Sequence, residues 1–283
     1  TCARGQKTIP SDTVCYPAKL MHGHVEILRD MGVDAIFYPC MTYNMEEGKG
    51  DNHYNCPVVA YYAEVIKNNI RGDVRLINDY VAPHDERHFP RRMHAVLERE
   101  FGPIPFAEMR EACRAAYAEY HSYMARVRER GQEILRKSRA AGVPVIVLVG
   151  RPYHVDAEIC HEIDRLIGEL GAAVITEDAL CAEVPKFATN VLNQWTYHAR
   201  LYSAAKYVAE SGDTGLNLVQ LVSFGCGVDA VTTDEVRAIL ERAGRIYTQV
   251  KIDEIANLGA VRIRLRSLFA AVGKEAERHG KPN

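Results

Sequence analysis

The sequence predicts an α/β protein in which two Rossmann-like or flavodoxin-like parallel-sheet domains face each other across a cleft, joined by a helical connector. Apolar runs rich in Val, Ile and Leu, the mark of strands buried on both faces, recur at 143–149, 172–175, 216–222 and 246–252. Helical periodicity fills the stretches between them, and this alternation favours a parallel sheet with right-handed crossovers. The unusual residues fall just after the strands, where open α/β sheets place ligands.

In chain order, 18–31 carries an apolar helical stripe ended by Gly32, and 33–38 reads as a strand closed by Pro39 and Cys40. A long polar loop, 41–55, leads to Cys56 and Pro57 at the head of a helix reaching about residue 70. A short strand at 74–77 follows. From 89 to 141 the pattern is helical and charged, broken at 102–105, and it reads as the connector with a solvated outer face. The first domain with this connector is placed at 1–141 and the second at 142–283. The second has helices at 157–170, 193–209 and 233–242 between its strands. Its last helix, 258–277, is expected to pack back on the first domain.

The chain has 35 basic and 37 acidic side chains, with no basic tail or aromatic-interleaved basic stripe, so a nucleic-acid partner is disfavoured. No apolar run approaches the ~20 residues of a membrane helix, and the first residues lack the apolar core of a secretory signal. A cytoplasmic protein is expected. The chain opens on Thr1 without a convincing strand ahead of Cys15, which predicts a further region upstream.

Eight cysteines in a large chain of this pattern point to metal or redox chemistry before a disulfide scaffold. Cys15 and Cys56 each sit at the head of a predicted helix, where free N–H groups favour anionic sulfur. Cys40 follows a strand. Cys226, between Gly225 and Gly227 in LNLVQLVSFGCGVD, sits at the carboxyl end of the most apolar strand. Four such thiolates converging on one site would select zinc or an iron–sulfur cluster. Their separations are far wider than the CxxC spacing of zinc ribbons or ferredoxins, so a shared site and separate buried thiols both stay open. Cys113, Cys160 and Cys181 read as packing residues, and Cys2 is left unassigned.

The polar loops supply catalytic candidates. Arg151 and His154 in GRPYHVD can bind an anion or handle a proton, or an Arg–Asp pair can simply hold the loop. His198 lies in NQWTYHARLY on a predicted helix, and Lys251 and Glu254 follow the last strand in KIDE. His22 and His24 are second-sphere candidates beside Cys15.

The phrases PSDTVCYPAKLMHGH, DAIFYPC, YNCPVV, GRPYHVD, NQWTYHARLY, SFGCGVDAVTTDEV and KIDEIANLGAVRIR together resemble the domain of unknown function in large acyl-CoA dehydratase activase-related proteins. That group is related to the 2-hydroxyglutaryl-CoA dehydratase activator, to the 2-hydroxyacyl-CoA dehydratases and to the benzoyl-CoA reductase systems of anaerobes. The resemblance runs in order over nearly the whole chain. It implies an oxygen-sensitive iron–sulfur protein that takes low-potential electrons from an ATP-dependent activase module, on the same polypeptide or a separate one, and serves electron transfer or the reduction of a small substrate. It further implies that Cys15, Cys40, Cys56 and Cys226 hold one 4Fe-4S-type cluster. Cys160 stands where the family is expected to have another residue. Two alternatives remain at this stage: a non-catalytic cluster-binding scaffold and a structural zinc protein.

Overall fold

The computed structural model describes residues 2–70, 72, 74–223, 225–254 and 257–279, with side chains followed to 273. Thr1, Phe224 of SFGCGVD and Ile255 and Ala256 of KIDEIANLG lie outside them. Two units divide the chain: Thr1–Met124 with Gln194–Thr196, and Ala125–Asn193 with Tyr197–Asn283.

The first unit holds α1 (Cys2–Gly5), α2 (Tyr16–Asp30), β1 (Ile36–Phe37), α3 (Pro57–Asn69), β2 (Leu76–Ile77) and α4 (Phe89–Phe101), followed by the start of α5 (Phe106–Ala141). Strands β1 and β2 pair in parallel, Ile36 with Leu76 and Phe37 with Ile77, and an isolated bridge from Cys40 to Tyr80 prolongs them. The two strands expected here are therefore cut to two residues each. Asp34 sits where the first was expected to be apolar, and Pro39 has no N–H to continue it. Among the described residues this sheet has two strands, so a Rossmann-like sheet is present in the second unit and not in the first. Ala18, Val25, Ile36, Tyr62, Ile66 and Leu76 form the core that clamps α2 and α3 to this sheet.

The long loop after Cys40 is tied down. Asn44 Nδ2 donates to Asn55 Oδ1 at 2.9 Å, Asn55 Nδ2 donates to the Met41 carbonyl at 2.9 Å, and Tyr43 bridges to Tyr54 in antiparallel fashion. Trp195 pairs with Tyr54 through a parallel bridge. The tryptophan, expected on a helix, stands ahead of it, because the strand-like pairing of Gln194 and Thr196 with Tyr54 delays the helix start to Thr196.

The second unit contains β3 (Val145–Val149), α6 (Ile163–Glu169), β4 (Ala173–Ile175), α7 (Thr196–Glu210, from Tyr197), β5 (Leu216–Ser223), α8 (Gly227–Arg242), β6 (Thr248–Ile252) and α9 (Leu258–His279). All four strands are parallel, in the order β4-β3-β5-β6. Alternation sends Val145, Val147 and Val149 of β3 to one face and Ile146 and Leu148 to the other. The first set meets α5, α7 and α8 through Leu135, Leu201, Val236 and Leu240; the second meets α6 and α9. Each such fully buried aliphatic side chain contributes about 1.5–3 kcal/mol. β5 is buried at all eight positions, the central strand its apolar run predicts.

Two further helices, besides α7, depart from expectation at their starts. His161 and Glu162 take left-handed backbone (φ 51° and 56°), so α6 begins only at Ile163. α8 begins six residues earlier than the sequence suggests, with Cys226 as its N-cap after Gly225 in a left-handed turn (φ 74°). The last helix packs on its own unit. Val261, Leu265 and Leu268 of α9, one stripe at helical spacing, join Val219, Leu221, Val250 and Ile252 of the sheet.

Candidate functional site

In a sheet of order β4-β3-β5-β6 the connections reverse direction between β3 and β5, and a crevice forms outside their carboxyl ends. Gly150 to Val155 leave β3 there, and Cys226 to Asp229 follow β5. Gly150 is required, because a Cβ would lie 2.3 Å from His154 Nδ1. Arg151 is buried at the centre. Its two terminal nitrogens take Asp229 bidentately, at 2.7 and 3.1 Å. The same guanidinium donates to His198 Nε2 at 3.0 Å, to Cys226 Sγ at 3.3 Å and to the Tyr153 hydroxyl at 3.3 Å. Burial works against the Arg151 charge, while Tyr153, Asp229 and Cys226 around it hold it in place.

Both histidines have defined tautomers. The Arg151 backbone N–H donates to His154 Nδ1 at 3.0 Å, so the proton of His154 sits on Nε2 and faces Ser223 Oγ at 3.3 Å. His154 is therefore a donor to Ser223 and not a base for it. Arginine has no acceptor, so His198 Nε2 accepts and its proton is on Nδ1. Burial, then the Arg151 charge, holds His198 far below the ordinary imidazole range and His154 down to about 3. Asp229 Oδ2 also accepts the Ser223 backbone N–H at 2.9 Å, which locks the head of α8 onto the end of β5. The loop pair expected near Arg151 thus exists, with Asp229 as the acid; Asp156 instead caps the N–H groups of Glu158 and Ile159.

Beside this network, Glu177 follows β4 and is buried. Burial, then Asp178, pushes its carboxyl up to about 8, against hydrogen bonds from backbone N–H groups that include Gly150. Asp178 accepts from Arg200 at 2.7 Å.

Three of the four candidate ligand cysteines are helix N-caps: Cys15 of α2, Cys56 of α3 and Cys226 of α8. Cys40 is buried just past β1. In the first unit Cys40, Cys56 and Cys15 all act electrostatically on Tyr38, whose hydroxyl is raised by burial first, then by Tyr62 and these thiols. Burial pushes the Cys40 and Cys226 thiols up, outweighing the Arg151 charge at Cys226, so a helix N-terminus alone does not make Cys226 a thiolate. Among the described residues no three His, Cys, Asp or Glu side chains are gathered as a metal ion requires.

The remaining candidates separate from these groups. Lys251 and Glu254 are exposed at the end of β6. His22 is buried between Thr8 Oγ1 and Tyr62 Oη, both at 3.0 Å, while His24 is exposed. Cys113, Cys160 and Cys181 are buried. The structure joins Arg151, His154, His198 and Cys226, which the sequence offers as separate candidates, with Ser223 and Asp229, which sequence reasoning missed; Glu177 was marked only by its place after a predicted strand. The available signal was their position: each lies at or just past the carboxyl end of a strand.

A parallel α/β protein with this polar network at its strand ends, and cysteines at helix N-caps, defines an α/β domain of the kind the motifs resemble. The chain belongs to the family described as the CoA enzyme activase uncharacterised domain, whose model matches residues 1–180. That span includes Cys15, Cys40, Cys56, Arg151, His154 and Glu177, and stops short of His198, Cys226 and Asp229. No curated protein matches the chain. Among the described residues no helix is long and apolar enough to cross a membrane.

Proposed function

We propose that this activase-associated domain is an iron–sulfur module that takes low-potential electrons from an ATP-dependent activase and passes them on or to a small substrate in the cytoplasm. Cys15, Cys40 and Cys56 are its ligands in the first unit, and Cys226 is the fourth. The observation that carries the reading is that three of these four cysteines, Cys15, Cys56 and Cys226, are helix N-caps. Thiolates are the donor set of a 4Fe-4S-type cluster, and the helix ends supply N–H groups that stabilise negative sulfur.

A bound cluster supplies one-electron chemistry at low potential. The chain's own residues set the surroundings. Arg151 donates an N–H to the Cys226 sulfur, and such hydrogen bonds stabilise the more negative state. Burial first, then Tyr62 and the thiols of Cys40, Cys56 and Cys15, raises Tyr38 and keeps its hydroxyl neutral.

The test is iron and acid-labile sulfide content on protein purified without oxygen, with an electron paramagnetic resonance spectrum after reduction. About four irons and four sulfides per chain, lost on Ser substitution of any of Cys15, Cys40, Cys56 or Cys226, is the expected result. Stoichiometric zinc, or no metal under strict anaerobiosis, overturns it. Electron uptake is tested separately by mixing with a competent activase and ATP and following the spectrum of the reduced cluster.

A further inference from the structure

One stretch of the second unit adopts a backbone that its sequence does not ask for. Asp156 caps a helix start: its Oδ1 accepts the N–H groups of Glu158 and Ile159 at 2.9 and 3.1 Å, and its carbonyl accepts from the Cys160 N–H at 2.9 Å. After this single turn His161 and Glu162 go left-handed. The Glu162 N–H closes back on the Ala157 carbonyl at 3.1 Å, the six-to-one bond of a Schellman end. Glycine suits that position; here a histidine holds it, and the residue after it is a second left-handed one, a glutamate. α6 then restarts at Ile163.

Nothing in the side chains requires the break. Cys160, Ile163 and Ile167 are buried and continue one helical stripe across it, and residues 157–162, AEICHE, contain neither glycine nor proline. Left-handed backbone at such residues persists only where the surroundings enforce it. The enforcing contact comes from the other edge of the sheet. His161 Nε2–H donates to the Asp253 carbonyl at 2.7 Å, tying the segment to the residue after β6, 92 positions along the chain. The same segment lines a cavity of about 320 Å³ at the ends of β3 and β4. Val155 and Cys160 reach it from before the break, Asp164 and Arg165 from after it.

We propose that residues 156–169 are a helix held broken by His161, which latches one wall of this cavity to the end of β6. With the latch open, His161 and Glu162 return to right-handed backbone and the turn capped by Asp156 joins α6. Residues 155–160 then swing relative to Asp164 and Arg165, so the cavity has two shapes, and the Asp253 carbonyl selects between them. The latch belongs to the second unit alone and does not rest on the cluster reading.

The experiment is NMR on the isotope-labelled full chain. A continuous helix brings the Hα of one residue against the Hβ of the residue three further on. In the wild type these contacts are expected to be missing from Ile159 to Glu162 and from Cys160 to Ile163. His161→Ala cuts the latch and puts a residue there that resists left-handed backbone, so both contacts appear, and the methyl resonances of Leu148 and Val174 on the cavity wall shift with them. Glu162→Gly leaves the latch in place and relieves the backbone. Its thermal midpoint is expected to rise by about 2–4 °C, whereas glycine in a right-handed helix lowers it; this keeps the test intact should the alanine variant fail to fold. The proposal is overturned if the wild type already shows both contacts, if His161→Ala folds and shows neither, if the wall methyls stay unmoved while the helix joins, or if Glu162→Gly fails to raise the midpoint.

Discussion

The Arg151 network and the cysteines of the first unit both stand at strand ends or helix heads, yet they are held in different ways. Arg151, Asp229, His154, His198 and Ser223 are fastened to one another by at least five hydrogen bonds with fixed donors and acceptors. Cys15, Cys40 and Cys56 are held by their backbones, as helix caps or at a strand bridge. The first arrangement is a finished structural element whose charges are satisfied internally. The second places sulfur and leaves its chemistry to a further group. Two polar sites on one chain can thus have opposite relations to stability: in one the side chains hold the fold, in the other the fold holds the side chains.

The largest test of this contrast is Arg151→Ala. Asp229 would be left charged and buried, so a loss of about 3–5 kcal/mol is expected, read as a fall in the denaturation midpoint. Arg151→Lys should recover only part of it, because a single ammonium cannot span both Asp229 oxygens and reach His198 and Cys226. Equal stability of the alanine variant would show that the network is not structural.

Acid titration probes the same network next. His154 and His198 are neutral when folded and titrate near 6.5 when unfolded, so each stabilises the fold above that pH and loses about 1.4 kcal/mol per unit as pH falls below it. Glu177 runs the other way. Its folded pKa of about 8 lies above the unfolded value, so its contribution is fully present at low pH and is lost as pH rises toward 8. Between about 4.5 and 6.5 it offsets one of the two imidazoles. Glu177→Gln should therefore roughly double the network's share of the slope in that window, measured as the difference between the two proteins' melting profiles. An unchanged slope would place Glu177 outside this balance.

The smallest expected effect belongs to the cysteines. Serine is a good N-cap, so Cys15→Ser and Cys56→Ser should change stability by less than about 1 kcal/mol in metal-free protein while removing a ligand from the proposed cluster. A large loss of metal-free stability in either variant would erase the distinction between the two regions.

Much of this was legible in the residues. The β5 run of LNLVQLVS, the strand of Val145–Val149 and the helix-heading positions of Cys15 and Cys56 all follow from local pattern, and the structure has them there. The strands of the first unit were over-read, because a short apolar run gives no measure of how many residues find a partner. Ser223 and Asp229 were passed over because nothing local marks them, and Glu177 was marked only by its place after a strand. Asp229 acquires its role only when the turn at Gly225 swings α8 back over β5 and brings Arg151, 78 residues away in sequence, within 2.7 Å.

The sequence by itself determined the α/β class, the parallel second sheet, the family to which the chain belongs and the heads of the helices at Cys15 and Cys56. These follow from periodicity, capping and turn residues, which act over a few positions. Tertiary structure alone decided which acid pairs with Arg151, which nitrogen of each histidine carries its proton, and that a carboxyl at Glu177 keeps its proton near neutrality. Those properties depend on desolvation and on partners brought from distant strands, and neither is a property of any short stretch of chain.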